Sequence, residues 1–354
     1  MAGGGEFRMK IIIVAGGTGG HIYPGIAIAQ ELPQDEILFI GSEEGLEKDL
    51  IPRAGFNIKL IKARALLRKF SYKAVSAPFV SAIGFFQAVK ILREFRPQAV
   101  VSTGGYAALA AVFAAKLLRI PVFVHEQNVL PGVTNRICSF LADKVFLSFE
   151  ESLSFQKGVV VGNPVRKEII TADRAAARKK LGLSAEKKML LIMGGSQGAR
   201  SINQTIIAAL PQVEAQKWEI FHIIGTRDFN KMKTPGLPFY HPFAYLYNVE
   251  EVLAAADMVV SRAGATAIAE FSVRGLPMIL VPFPYSAEGH QDLNARAVAQ
   301  KGAGILIINN DFTPERFISV LRTEEHALEK MGRAARAMGR PDAARKIIDG
   351  IRKS

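Results

Sequence analysis

The sequence predicts an α/β protein built from two Rossmann-like, doubly wound parallel-sheet domains that face a shared cleft. Three observations predict it. Two glycine-rich turns, Gly16-Gly17-Thr18-Gly19-Gly20-His21 and Gly194-Gly195-Ser196-Gln197-Gly198, each directly follow an apolar run of β type, at residues 11–14 and 189–193. Each half of the chain then alternates apolar strand-length runs with helix-length segments, the pattern of parallel sheets. Finally, 354 residues exceed what a single hydrophobic core usually serves.

Taken in chain order, residues 1–8 show no hydrophobic periodicity and read as an added tag or flexible extension. The first domain is expected over 9–162. After the first glycine turn a helix is expected over 22–32, with Pro24 in its first turn. Strands are expected at 37–40, 99–102, 122–125, 144–147 and 159–161, apolar runs of the kind found in strands covered on both faces. Gly162-Asn163-Pro164-Val165-Arg166 breaks regular structure and reads as the interdomain joint. The second domain, 163–338, begins with an Ala/Lys/Arg-rich helix over 171–181. Its strands are expected at 189–193, 220–224, 258–260, 278–281 and 305–307, with helices from Pro314 onward. Gly339-Arg340-Pro341 then interrupts the helical region, leaving 339–354 as a basic final helix that packs back toward the first domain.

With 49% hydrophobic and 22% charged residues, the composition is that of a folded protein rather than a disordered or fibrous one. The single cysteine, Cys138, excludes an internal disulfide and fits a reducing compartment, and no Cys/His spacing resembles a zinc site. The net charge of +13 calls for an anionic partner, whether nucleic acid, anionic lipid or a phosphorylated substrate. Its distribution is informative: residues 50–93 contain no Asp or Glu but carry Arg53, Lys59, Lys62, Arg64, Arg68, Lys69, Lys73, Lys90 and Arg93 among apolar side chains such as Phe70, Phe79, Phe85 and Phe86. Cations framing apolar groups suit an anionic bilayer surface, so residues 62–93 are expected to make peripheral membrane contact. No run reads as a signal peptide or spanning helix, and no recognisable DNA- or RNA-binding module accompanies the basic stretch.

A glycine turn between a buried strand and a helix presents backbone N–H groups at a positive dipole end, which suits phosphate or diphosphate. The first turn fails the dinucleotide fingerprint, because Ile22 stands where the last glycine of G-x-G-x-x-G belongs, which argues against hydride transfer. The second also matches G-x-S-x-G, the nucleophile elbow of α/β-hydrolases. That alternative needs Asp257 or Asp292 with His326, none of which sits in a supporting motif. Ser261-Arg262-Ala263-Gly264-Ala265-Thr266 follows a strand and enters a helix; its small residues admit a diphosphate with Glu270 toward ribose hydroxyls, or else form a tightly packed helix with Glu270 solvated. Gln291 and Asn294 offer amides to sugar hydroxyls, or cap a helix. His125-Glu126-Gln127-Asn128 and Thr103-Gly104-Gly105-Tyr106 both end strands, where they line an acceptor site or make ordinary loops. His21 is the leading general base, its alternative being to order the turn or bond a phosphate.

Together with Gly162-Asn163-Pro164-Val165-Arg166 and His290-Gln291, these motifs occur in an order that closely resembles glycosyltransferases of the GT-B fold, specifically the bacterial peptidoglycan enzymes that add N-acetylglucosamine (GlcNAc) to lipid I, giving lipid II. The resemblance runs from Met9 to the end. It implies that UDP-GlcNAc lies mainly on the second domain, with Ser196 and Arg166 near the diphosphate, Ala265 and Thr266 beside it, Glu270 on the ribose and Leu246 near the uracil. Gln291 and Asn294 would meet the donor sugar, joined by Thr18, Gly19, Gly20 and Asn128 of the first domain. His21 would be catalytic, with Tyr106 and Glu126 on the acceptor side. The resemblance further implies lipid I as acceptor, an inverting transfer to the 4-hydroxyl of its N-acetylmuramoyl group, and residence on the cytoplasmic face of the plasma membrane among other cell-wall synthesis proteins. No Asp-x-Asp motif occurs, so no metal site or obligatory cofactor is expected and a divalent cation is at most stimulatory. Ala65-Leu66-Leu67-Arg68-Lys69 departs from the more glycine-rich loop of related sequences, and Ser102-Thr103 differs before Gly104. A UDP-GlcNAc 2-epimerase and a transferase to another lipid acceptor are the nearest alternatives.

Overall fold

The computed structural model describes residues 8–63, 72–154, 156–184, 186–195 and 198–354, with the side chains of all of these except 72–79 and 81. The chain forms two compact units: residues up to Arg166 together with Asp342–Ser354, and Lys167–Pro341. The joint therefore falls four residues beyond 162. Val165 is buried, which ties Asn163-Pro164-Val165-Arg166 to the first unit.

The first unit contains β1 (Lys10–Ala15), α1 (Gly19–Gln30), β2 (Glu36–Ser42), α2 (Glu47–Arg53), β3 (Asn57–Ile61), α3 (Tyr72–Phe95), β4 (Ala99–Gly104), α4 (Ala108–Leu117), β5 (Val122–Glu126), α5 (Val133–Leu141), β6 (Lys144–Leu147) and β7 (Val159–Val160). All its strand pairs are parallel, in the order β3-β2-β1-β4-β5-β6-β7. Ile11, Ile12, Ile13 and Val14 are wholly buried because helices cover both faces of the sheet. The first helix begins at Gly19, three residues before the expected start: Thr18 is already its N-cap and its carbonyl accepts the amides of His21 and Ile22, so Pro24 stands in the second turn.

The second unit contains α6 (Lys167–Thr171), α7 (Arg174–Lys180), β8 (Lys188–Met193), α8 (Arg200–Ala209), β9 (Trp218–Ile223), β10 (Tyr240–Phe243), α9 (Val249–Ala255), β11 (Met258–Ser261), α10 (Ala265–Arg274), β12 (Met278–Leu280), α11 (His290–Gln300), β13 (Gly304–Leu306), α12 (Pro314–Leu321) and α13 (Glu325–Met338). Its parallel sheet runs β10-β9-β8-β11-β12-β13. The helix expected over 171–181 is two helices, because the Asp173 carboxylate accepts the Ala176 amide and starts a new helix there.

The last helix, α14 (Ala343–Arg352), belongs to the first unit. Its Ala344, Ile347, Ile348 and Ile351 share a core with Ile11, Ile13, Ile22 and Phe39, and Arg352 pairs with the buried Asp35 at 3.0 Å. Burying each of the three isoleucines contributes about 2 kcal/mol.

Candidate active site

In an open parallel sheet the ligand crevice lies beyond the carboxyl ends of the strands, where neighbouring crossovers diverge to opposite faces. In the first unit that point is between β1 and β4. The first glycine turn leaves β1 there, and Thr103-Gly104-Gly105 ends β4 beside it. Gly105 has φ +97°, and a Cβ on it would overlap the Gly16 carbonyl oxygen, so the two turns touch backbone to backbone. The half-exposed Tyr106 ring stands over Gly17. Thr18 and Gly20 are exposed at the start of α1.

His21 projects from the first turn of α1. Its Nδ1 lies 2.9 Å from the Thr103 carbonyl oxygen and 3.1 Å from Gln127 Oε1, both acceptors, so Nδ1 carries the proton and Nε2 the lone pair. Gln127 is held in turn, its amide donating to the same Thr103 oxygen at 2.7 Å and to His125 Nδ1 at 3.2 Å. His125 Nε2 then donates to the Gly162 carbonyl at 3.1 Å. Burial pushes the His21 pKa below its ordinary 6.5, opposed by the bonds to Thr103 and Gln127 and by the charge of Glu47. Burial takes His125 down to about 4. Both imidazoles are therefore neutral at pH 7, and His21 is arranged to accept a proton at Nε2.

Glu126, expected on the acceptor side, has its carboxylate engaged by its own loop and helix. It is buried and its carboxylate turns inward, accepting the Asn128 amide at 2.8 Å, Asn128 Nδ2 at 3.2 Å, the Gly132 amide at 3.3 Å and Asn135 Nδ2 at 2.9 Å. Burial raises its pKa, the hydrogen bonds opposing. Its work in this arrangement is to shape the loop that carries Asn128. Arg166 stacks on the Tyr23 ring at 4.2 Å, within the first unit rather than the second.

In the second unit the divergence lies between β8 and β11. Ser196 and Gln197 lie outside the described residues; Gly194, Gly195 and Gly198 frame them. Arg262, on the loop after β11, gathers this edge. Its Nη1 donates to the carbonyls of Val281 and Pro282, both at 3.0 Å, and to Asn309 Oδ1 at 2.9 Å, while Nη2 donates to Ser201 Oγ at 2.9 Å. One guanidinium thus joins the loops after β11, β12 and β13 to α8. Burial lowers its pKa to about 10, which leaves it charged at pH 7. Ala265, Thr266 and Glu270 all lie on α10 and are buried, so the reading of a solvated Glu270 does not hold. Asn294 Nδ2 donates to the Ala263 carbonyl at 3.1 Å, and Gln291 Oε1 accepts the Phe283 amide at 2.9 Å. Both α11 amides therefore brace loops of this edge. Leu246 lies just past the edge strand β10, between Tyr245 and Tyr247, whose rings meet edge to face at 4.7 Å.

The hydrolase alternative fails on geometry. Asp257 precedes β11 at its amino end, bound to Arg174, Arg178 and the Met189 amide, whereas the glycine turn leaves the carboxyl end of β8. Asp292 pairs with Arg296. Sequence reasoning also missed groups that the fold brings in. Gln127 and Arg262 stood inside quoted motifs without an assigned role, while Glu47, Ser201 and Asn309 stand in segments with no motif.

Two doubly wound parallel sheets in one chain, each with a glycine turn at its point of divergence, are the architecture of glycosyltransferases of the GT-B fold. The chain belongs to glycosyltransferase family 28: the family's N-terminal domain matches residues 11–147 and its C-terminal domain residues 189–347. It is 42% identical to the UDP-N-acetylglucosamine--N-acetylmuramyl-(pentapeptide) pyrophosphoryl-undecaprenol N-acetylglucosamine transferase of Moorella thermoacetica, over 98% of this chain and 99% of that one. Among solved structures, Acinetobacter baumannii MurG superposes with a TM-score of 0.77 at 28% identity, covering 98% of this chain and all of the other. A UDP-GlcNAc 2-epimerase from Neisseria meningitidis bound to UDP-GlcNAc shares the fold, with a TM-score of 0.66 at 16% identity over 98% of this chain and 100% of that one.

Proposed function

We propose that the protein transfers GlcNAc from UDP-GlcNAc to the 4-hydroxyl of the N-acetylmuramoyl group of lipid I, forming lipid II for peptidoglycan. The observation that carries this reading is the neutral His21 imidazole, locked through Nδ1 at the β1/β4 divergence with Nε2 ready as base. In the reaction His21 Nε2 takes the proton of the 4-hydroxyl, the oxygen forms its bond to the anomeric carbon, and UDP departs with the electron pair of the broken C1–O bond. Attack opposite the leaving group inverts the anomeric centre and gives a β-1,4 linkage. The backbone N–H groups around Gly194, Gly195 and Ser196 and the amino end of α10 meet the diphosphate charge, as does Arg166, with a divalent cation as stimulant rather than requirement. Glu270 takes the ribose, Leu246 the uracil, Ala265 and Thr266 the phosphates, and Gln291, Asn294, Thr18, Gly19, Gly20 and Asn128 the sugar, with Tyr106 on the acceptor side.

Incubation with labelled UDP-GlcNAc and a lipid I analogue is expected to yield a β-1,4-linked disaccharide and one UDP per sugar transferred. Release of the donor's 2-epimer without acceptor would support the epimerase reading instead.

The acceptor is membrane-borne, and the first unit carries an apolar surface suited to a peripheral position on the cytoplasmic face. Among the described residues no helix is long and apolar enough to cross a membrane. Ile83 and Phe86 of α3, Phe113 and Leu117 of α4 and Phe140 of α5 are exposed, Phe140 at 91%, and α4 packs against both α3 and α5. Arg93 of α3 and Arg119, just after α4, are exposed and add positive charge to this unit. The contact expected over 62–93 is thus extended to α4 and α5, while 64–71 lie outside the described residues. Phe86→Asp and Phe140→Asp are each expected to lower sedimentation with anionic vesicles roughly tenfold, in line with the loss of one inserted aromatic ring. Unchanged partitioning of both would move the membrane face elsewhere.

A further inference from the structure

We propose that Glu47 is a positioning residue for the transfer: its buried carboxylate holds the first glycine turn, and with it the start of the helix that carries His21, in register. The inference rests on His21 being the base.

Glu47 is the first residue of α2 and wholly buried, an unusual place for a carboxylate. Its Oε1 accepts the Ser42 amide at 2.7 Å and the Ser42 hydroxyl at 2.6 Å, which fixes it to the end of β2. Its Oε2 accepts the Gly17 amide at 2.9 Å, inside the turn that leads to His21. Three glycines make room for it. A Cβ at Gly16 or Gly41 would come within 2.5 Å of the side chain, and one at Gly45 would overlap Oε2. The Gly17 N–H is therefore committed inward, and this turn is fastened by a carboxylate from beneath.

That fastening reaches the base through a short path. Gly17 precedes Thr18, whose carbonyl accepts the His21 amide, so the place of the turn sets where α1 begins and where the imidazole stands. The charge acts through space as well, favouring the protonated ring. Other titratable groups nearby do not substitute for it. His125 on β5, linked to His21 through Gln127, is neutral. On α14, which packs against α1, Lys346 pairs with Asp342 and Arg352 with Asp35, and Lys10 of β1 pairs with Glu36.

Two substitutions weigh charge and position differently. Glu47→Gln removes the charge and, because an amide nitrogen cannot accept, gives up the hydrogen bonding at one of the two oxygens that serve Gly17 and Ser42; Glu47→Asp keeps the charge but withdraws the carboxylate by one methylene from Gly17. Turnover on UDP-GlcNAc and a lipid I analogue, the pH profile of kcat/KM, UDP affinity by calorimetry and the melting curve are measured for each. Glu47→Asp is expected to lower kcat roughly tenfold with the acid limb in place. Glu47→Gln is expected to move the acid limb to lower pH by about half a unit, because without the anion the imidazolium loses its proton more readily. UDP affinity stays within about twofold in both, since under the functional reading every nucleotide contact except Arg166 belongs to the second unit. Wild-type kcat and an unmoved limb in folded Glu47→Gln and Glu47→Asp overturn the proposal. Should either replacement fail to fold, Ser42→Ala removes only one donor to Oε1 and is read in the same way: a kcat loss of about two- to threefold supports the fastening role, and none overturns it. His21→Ala run alongside distinguishes the failures. Retained turnover there removes the base reading and this inference together, whereas an inactive His21→Ala beside unaffected Glu47 variants removes only the role of Glu47.

Discussion

His21→Ala is expected to lower kcat for transfer to a lipid I analogue by roughly 10² to 10⁴-fold, the range that a positioned general base contributes. UDP affinity is expected to stay within about twofold, because in the proposed mechanism the imidazole acts on the acceptor hydroxyl and not on the nucleotide. The pH profile supplies the sign. A base must be unprotonated to act, and burial favours the neutral ring, so kcat/KM of the unmodified protein is constant through pH 7 and falls only below a midpoint under 6.5. In His21→Ala that acid limb disappears. A midpoint above 6.5, or a variant within about threefold of the unmodified turnover, would take the base role from His21. Gln127 and the Thr103 carbonyl matter here because they choose the tautomer: with Nδ1–H committed to them, the lone pair can only be on Nε2.

Gly198→Ala is the second large effect, and it is read on the donor. Gly198 closes the second glycine turn with φ +81°, a conformation that costs a residue with a Cβ about 1–2 kcal/mol. The added methyl would also overlap the Ile224 carbonyl oxygen, part of a backbone that cannot swing aside as a side chain can. That oxygen already accepts Asn203 Nδ2 of α8 at 2.9 Å, so moving it disturbs the helix that follows the turn. Overpacking of this kind adds about 1–3 kcal/mol. If the strain is taken up in the turn, UDP affinity measured by calorimetry drops about 100-fold; if it is taken up in the fold, the melting temperature falls by roughly 5 °C or more. A variant with unmodified UDP affinity and melting curve would show that the turn neither holds nucleotide nor needs its geometry.

The central strands were legible in the sequence because a parallel strand covered on both faces must be apolar throughout: 11–14, 99–102, 122–125, 189–193 and 258–260 all fall within observed strands. The strands that escaped notice, β3 and β10, are sheet edges. β3 reads Asn57-Ile58-Lys59-Leu60-Ile61 with Asn57, Lys59 and Leu60 exposed, and β10 carries Pro242, so neither shows a continuous apolar run. The site was legible where glycines and clustered polar residues end those central strands. It was not legible where the work is done by a backbone carbonyl, as at Thr103, or by a lone residue brought in from another element, as with Glu47 and Asn309. Nor could spacing tell which way a side chain turns: Glu126 ends its strand where expected, yet four donors draw its carboxylate into the protein.

The return of α14 to the first unit has a consequence for the order in which the protein is made. Residues 167–341 are contiguous, so the second unit can finish folding as soon as it clears the ribosome. The first unit emerges earlier yet waits longer, with Ile11, Ile13 and Phe39 lacking their cover until the last three isoleucines of α14 are synthesised and released. A released chain truncated near residue 341 would thus hold a complete second unit and a first unit whose greasy underside is still open to chaperones.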